Sequence, residues 1–189
     1  MSLSYRVSLK VCEVVSADDK TVHQLDLRDV LPEEEMRDLL RARLLEQGFE
    51  TSEEDENKLV REGKNGEVVT VDMETLELTA ELELEQEVSG TVDTWGDSHT
   101  REAAKRQAED RAQKQADAML ERGQQKAQSD VSSRLAAGEA DRLEEMNQVL
   151  QDVYSEALKR KARRLGDVVE EYEGTNEAGE YELVIKIEV

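Results

Sequence analysis

In 189 residues there is one cysteine, one proline, one tryptophan, one phenylalanine and two histidines, and each shortage closes off a class of chemistry. Cys12 has no second thiol, so neither an intrachain disulfide nor a cysteine metal site can form, which suits a reducing compartment. His23 and His99 lie far apart in sequence, and neither belongs to an HExxH or Cys/His ligand spacing. A glycine-rich phosphate loop and a GxSxG elbow are missing as well. No stretch approaches the roughly 18 apolar residues that cross a bilayer, and the amino terminus lacks a charged segment followed by an apolar run. The expectation is a cytoplasmic protein without membrane insertion, cofactor or metal. Aromatics are only 3% of the chain, so burial falls to Leu, Val, Ile and Ala.

Charge is abundant and uneven. The formal net charge is −21. Residues 1–97 hold 10 cations against 26 carboxylates, residues 98–166 hold 14 against 12, and residues 167–189 hold 1 against 8. Acid is concentrated where the pattern is strand-like, and the helical middle is balanced. Such a field repels nucleic acid and anionic lipid and favours basic partners.

The clearest pattern is TLELTAELELEQEVSGTV, from Thr75 to Val92. Taken two residues at a time it places Leu76, Leu78, Ala80, Leu82, Leu84, Val88 and Val92 on one side. Glu77, Glu81, Glu83, Glu85 and Glu87 fall on the other. Successive side chains of a strand point to opposite faces, so one face is buried and the other is a ladder of carboxylates in water.

The remaining elements follow in order. Tyr5 to Val15 alternates as a first strand, Ser16-Ala17-Asp18-Asp19-Lys20 is turn chemistry, and Thr21 to Leu27 reads as its hairpin partner. His23 shares a face there with Leu25 and Leu27, where a packed histidine is the ordinary role. Pro32 opens a helix whose Glu33, Glu34 and Glu35 meet the positive end of its dipole; Met36, Leu39, Leu40 and Leu44 line one side and Gly48 stops it. Lys58 to Arg61 begins another strand. The Lys64-Asn65-Gly66-Glu67 turn joins it to Val68–Met73, giving an antiparallel meander. Gly90, Trp95 and Gly96 read as the corner that ends the long strand, with Trp95 closing the edge of a core and Asp97 or Ser98 capping the next helix.

From Thr100 to Leu135 the composition is helical, with a thin stripe of Ala104, Ala108, Ala112 and Ala116 suited to close approach of another helix. Ala136-Ala137-Gly138-Glu139 is the expected break. Beyond it Leu143, Met146, Leu150, Val153 and Ala157 form a helix-pairing seam, so the two halves make a helical hairpin. A single unbroken helix is the competing picture, exposing the seam for a homo-oligomer through the helical region. Lys159, Arg160, Lys161, Arg163 and Arg164 form the one basic cluster, either helix-end electrostatics or a docking site. Asp167–Glu173 and Glu180–Val189 close the chain as two strands around a Gly174–Gly179 turn. Tyr181, Leu183, Ile185, Ile187 and Val189 share one face, and the terminus is expected to pair within the sheet.

A helix through Tyr154, Ala157, Leu158, Ala162, Leu165 and Gly166, then DVVEEYE, a glycine turn and EYELVIKIEV, resembles the end of small accessory proteins encoded beside bacterial FtsH-type and other AAA ATPases, the ternary-system domains. The opening strand and the LPEEEMRDLL helix are similar in outline, so the likeness covers about half the chain. It implies a non-enzymatic partner in an ATPase-coupled assembly, carries no catalytic motif and transfers no functional residue.

The expected fold is a single α+β domain: an antiparallel meander sheet with one short helix and a long helical hairpin packed on one face. Residues 1–97 supply strands and the short helix, 98–166 the helical hairpin, and 167–189 a closing hairpin of the same sheet. The expected function is an acidic protein-interaction module docking a protein with a basic surface, an AAA ATPase among the candidates, through Glu77, Glu81, Glu83, Glu85, Glu87 and the basic cluster. Two alternatives stay open. Carboxylates two apart on a strand repeat at about 6.6–6.8 Å, near the phosphate spacing of one nucleic-acid strand, which would make the ladder a mimic that occupies a DNA-binding protein. A carboxylate-metal hydrolase would need distant carboxylates to converge in a pocket.

Overall fold

A computed structural model describes residues 3–175 and 181–188. The architecture is α+β: β1 (Leu3–Gln24), α1 (Glu33–Glu46), β2 (Glu50–Thr51), β3 (Lys58–Glu62), β4 (Val68–Asp72), β5 (Glu77–Ser98), α2 (Arg101–Leu165), β6 (Asp167–Thr175) and β7 (Tyr181–Glu188). Five strands form an antiparallel sheet in the order β1-β5-β4-β3-β2, the expected meander with β1 added beside β5. The closing hairpin departs from expectation, because β6 and β7 form a separate two-stranded sheet. Lys159 Nζ on α2 holds Glu173 at 2.6 Å and Glu171 at 2.9 Å, so the hairpin is fastened to the helix end rather than to another strand. The centre of its turn and the pairing expected of Val189 lie outside the described residues. No helix among the described residues is long and apolar enough to cross a membrane.

The chain divides into two compact units: Met1–Lys20 with Glu81–Ala137, and Thr21–Ala80 with Gly138–Val189. In the first, β1 pairs with β5 and α2 packs on one face of the pair. Val11, Val92, Ala112 and Ala116 form its core, with Val7, Leu9, Met119 and Leu120 packed against them. The turn expected at Ser16–Lys20 is absent, and β1 continues through it. Turn-forming side chains are a weak local preference, and here tertiary bonds outweigh it. Gln124 Nε2 donates to the Ser16 carbonyl at 2.6 Å, Gln128 Nε2 to the Asp18 carbonyl at 3.1 Å, and Ser132 Oγ to Asp19 at 2.6 Å. Two glutamines one helical turn apart thus occupy alternate carbonyls of the edge strand.

The alanine stripe lies against a strand, not against the second helix that was expected. Ala104, Ala108, Ala112 and Ala116 are all buried. A Cβ added to Gly96 would lie 1.9 Å from the Ala104 carbonyl oxygen and 2.8 Å from the Ala108 nitrogen, so helix backbone rests directly on strand backbone. Thr94 Oγ1 donates to the Ala108 carbonyl at 2.6 Å within that contact. One buried methyl contributes on the order of 0.8 kcal/mol, so close approach and these anchors make up for the small side chains. β5 therefore passes through Gly90 and Gly96 to Ser98 instead of turning a corner, and Trp95 is 54% exposed rather than part of a core. The cap is neither Asp97 nor Ser98: the Ala103 N–H bonds Thr100 Oγ1 at 3.3 Å.

In the second unit, α1 follows Pro32, which stands at the N-cap without a side-chain cap bond, and Met36, Leu39, Leu40 and Leu44 are buried, with Gly48 left-handed at φ +85° beyond its end. Buried Leu59, Val69, Val71, Leu78 and Ala80 come from β3, β4 and the start of β5. β5 begins only at Glu77 because Leu76 turns at φ +57°. The break expected at Gly138 does not occur, and α2 runs without interruption from Arg101 to Leu165. Gly138 instead makes room: a Cβ there would lie 2.5 Å from Arg142 Nη1 and 2.8 Å from Asn65 Nδ2. The β3–β4 turn docks in that space, where Glu67 and Arg142 form a buried ion pair at 2.9 Å. Arg61, stacked 4.5 Å over Phe49, adds a second tie to Glu145 at 2.7 and 2.8 Å. The seam is spent inside this unit, since Met146, Val149, Val153 and Ala157 are buried.

Candidate functional site: the outward face of β5

The alternation read from the sequence is the alternation observed. Leu78, Ala80, Leu82, Val88 and Val92 are buried, while Glu77, Glu81, Glu83, Glu85 and Glu87 are exposed. Glu81 to Glu87 belong to the first unit and Glu77 to the second. Among the described residues none of these five takes part in an ion pair. Among the described residues the row's charge is met by no side-chain cation within ion-pair distance. Repeats of about 6.6–6.8 Å on a strand keep neighbouring carboxylates apart, so each stays hydrated.

The same face extends past the residues singled out above. Asp93, Trp95 and Asp97 continue it with the same parity, a continuation visible in the sequence once Gly96 is read as a strand residue. Here compensation does occur: Arg6 Nη2 lies 3.1 Å from Asp93 Oδ1, and the same guanidinium sits 5.7 Å over the Trp95 ring. Arg111 Nη1 donates to the Trp95 carbonyl at 2.7 Å, and Ser4 Oγ donates to Asp97. Cys12 on β1 donates its S–H to Glu87 Oε1 at 3.3 Å, which holds the thiol above its ordinary pKa. That contact ties Glu87 to β1 and leaves Glu81, Glu83 and Glu85 as the open part of the row.

The basic cluster is distributed differently. Lys159 is raised in pKa by its bonds to Glu173 and Glu171, and Glu173 is correspondingly lowered, first by Lys159 and then by the Tyr181 hydroxyl. Arg160 pairs with Glu156 at 2.9 Å, and Arg164 with Glu35 at 2.5 Å, which lowers that carboxyl. Lys161 and Arg163 are exposed. Two of the five cations thus fasten other elements of the second unit to the helix end, Lys159 holding β6 and Arg164 holding α1, while the Arg160 pair lies within α2 itself.

The most enclosed charge is Glu67. Burial pushes its pKa up, but N–H bonds from its own backbone and from Asn65, with the Arg142 guanidinium, outweigh that and leave it lowered. It is an ionised structural contact rather than a proton donor. His23 on β1 is half-buried with its Nε2 2.9 Å from Glu139 Oε1, and His99 is exposed. Among the described residues no group of three or more His, Cys, Asp or Glu side chains could hold a metal ion.

These features define an acidic α+β domain with an open, charged sheet face and no assembled set of reacting groups among its described residues. The chain belongs to the family FtsH ternary system domain X5, which matches residues 1–189. The family name fits an accessory domain of an FtsH-associated ternary system. No curated protein and no solved structure matches the chain.

Proposed function

We propose that this domain is a non-catalytic adaptor in an AAA-ATPase-coupled assembly, and that it docks a basic protein surface on the outward face of β5. The observation that carries the reading is the exposed row Glu81, Glu83 and Glu85, without an ion pair among the described residues and bounded by Glu87 and Asp93. A row of like charge without internal cations raises the local field, speeds encounter with a cationic surface and selects against acidic ones. Exposed pairs formed this way weaken as salt shortens the screening length, which is about 8 Å at physiological ionic strength. The basic cluster plays an internal part, since three of its members already bind carboxylates of the same unit.

The test is capture of the ATPase partner by the intact protein and by the combined Glu81→Gln, Glu83→Gln, Glu85→Gln and Glu87→Gln variant, across a salt series. Capture that is salt-sensitive and lost in the variant supports the reading. Capture unchanged by the four substitutions overturns it. Competition by duplex DNA for the captured protein would favour a nucleic-acid mimic in its place.

A further inference from the structure

Six of the chain's exposed large apolar side chains, Leu158, Leu165, Val169, Tyr172, Tyr181 and Val184, lie in the closing element and the helix end beneath it. That element is a two-stranded sheet, marginal in water on its own and held here against the end of α2, and among the described residues no third strand joins it. Two grooves of about 660 and 280 Å³ lie between α2 and β7 and share Leu158 and Leu183, the larger one closed on a third side by Asp26, Arg28 and Val30. β7 lines them with Tyr181, Leu183, Ile185 and Ile187, one face of the strand, and no β6 residue does, so they lie beneath β7 on the side away from β6. An unpaired strand edge beside an open apolar trough is a template for an added strand.

We propose that the added strand is β7 of a second copy, paired antiparallel across a twofold axis through Val184. Antiparallel pairing of a strand with itself is isologous, so every contact occurs twice and the sequence must complement its own reverse. Tyr181-Glu182-Leu183-Val184-Ile185-Lys186-Ile187 meets that condition about Val184. Glu182 faces Lys186, Leu183 faces Ile185, Tyr181 faces Ile187 and Val184 faces itself. Moving the centre by one residue to Ile185 sets Glu182 against Glu188, moving it by two to Lys186 opposes two lysines, and moving it to Leu183 gives up the Glu182–Lys186 pair, so the Val184 centre is the one of these that pairs Glu182 with Lys186.

The hairpin's own pairing carries through. Glu170 faces Lys186 within the chain and is bonded to it, and Glu182 faces Gly174. In the dimer each lysine therefore stands between Glu170 of its own chain and Glu182 of the second copy. Tyr172 faces Val184, so Tyr172, Val184 and their symmetry mates become one apolar row across a four-stranded sheet. On the other face, Leu183, Ile185 and Ile187, each half-buried in one copy, extend over the grooves. This surface is independent of the acidic face of β5.

The experiment is sedimentation of the full chain over a concentration series. A monomer–dimer equilibrium is expected for the natural protein. Glu182→Lys turns two attractive cross-strand pairs into two repulsive ones and should raise the dimer dissociation constant by about tenfold. Circular dichroism should stay unchanged, because Glu182 faces only Gly174 in its own hairpin. The swap Glu182→Lys with Lys186→Glu, made in a Glu170→Gln background to avoid a new like-charge pair, should restore association. A protein that stays monomeric throughout, a dimer indifferent to Glu182→Lys, or a swap that restores nothing would each overturn the proposal.

Discussion

Gly138→Ala separates two views of the long helix by the sign of its effect. If the glycine were only a weak point in α2, alanine would stabilise the protein by about 0.5–1 kcal/mol through reduced backbone entropy in the unfolded chain. The surroundings argue the opposite. The new methyl would sit 2.5 Å from Arg142 Nη1, 2.8 Å from Asn65 Nδ2 and 3.4 Å from Glu67 Oε1. A guanidinium end can normally swing aside, but the Arg142 side chain is only 8% exposed and bonded to a carboxylate that is 3% exposed. Displacing it leaves buried charge without its partner, at a cost of about 3–5 kcal/mol. The backbone N–H bond from Asn65 at 2.8 Å keeps part of the carboxylate satisfied and removes the top of that range. After the alanine gain is subtracted, a net destabilisation of about 2–4 kcal/mol remains. For a chain of this length that is a fall in melting temperature of about 4–16 °C. Thermal unfolding followed by far-ultraviolet circular dichroism measures it. In an Arg142→Ala background the closest collision is gone and the Asn65 amide at 2.8 Å remains, so the same substitution should cost much less than in the natural protein. A higher melting temperature for Gly138→Ala alone would refute the account of why glycine stands there.

Three further outcomes follow from other contacts. Glu67 has a lowered folded-state pKa, so its contribution is complete above the ordinary value of 4.5 and is lost as pH falls through the folded value. Glu67→Gln should therefore be less stable than the natural protein near neutral pH, and the gap in urea midpoint should narrow below pH 4.5; a constant gap would contradict this. Lys159→Met removes both ties to β6 and should speed amide hydrogen exchange in β6 and β7 by about tenfold; unchanged exchange would mean that packing alone holds the hairpin. Gly96→Ala drives a methyl into helix backbone that cannot rotate away and should cost about 3 kcal/mol, read as a loss of chemical-denaturation stability, whereas a neutral result would show that α2 can lift from β5.

What was legible beforehand was what local spacing encodes. The two-residue repeat from Leu78 to Val92 depends only on strand geometry, and the burial of Met36, Leu39, Leu40 and Leu44 only on helix geometry. The exposed carboxylates of β5 were legible for the same reason. The errors share a different cause. Gly96 and Gly138 suggest a corner and a break because glycine's local meaning is flexibility, but each makes room for another element, α2 over Gly96 and the β3–β4 turn beside Gly138. Ser16 to Lys20 had the chemistry of a turn, and nothing nearby indicates that Gln124 and Gln128 would hold it extended. The strands of the last hairpin were evident, but their separation from the main sheet rests on Lys159 reaching Glu171 and Glu173, ion pairs no periodicity reveals. The trough beside β7 went unseen because it arises where helix and strand fail to fill the space between them.

The position of Trp95 has a practical consequence for anyone who studies this protein by light. It is the chain's one indole, more than half in contact with solvent in the folded state. Its emission should already be close to that of a solvated fluorophore, so heating or urea will change its colour little. A flat intrinsic-fluorescence melt from this protein is therefore the signature of where the fluorophore sits, and reading it as a lack of cooperative folding would be a mistake.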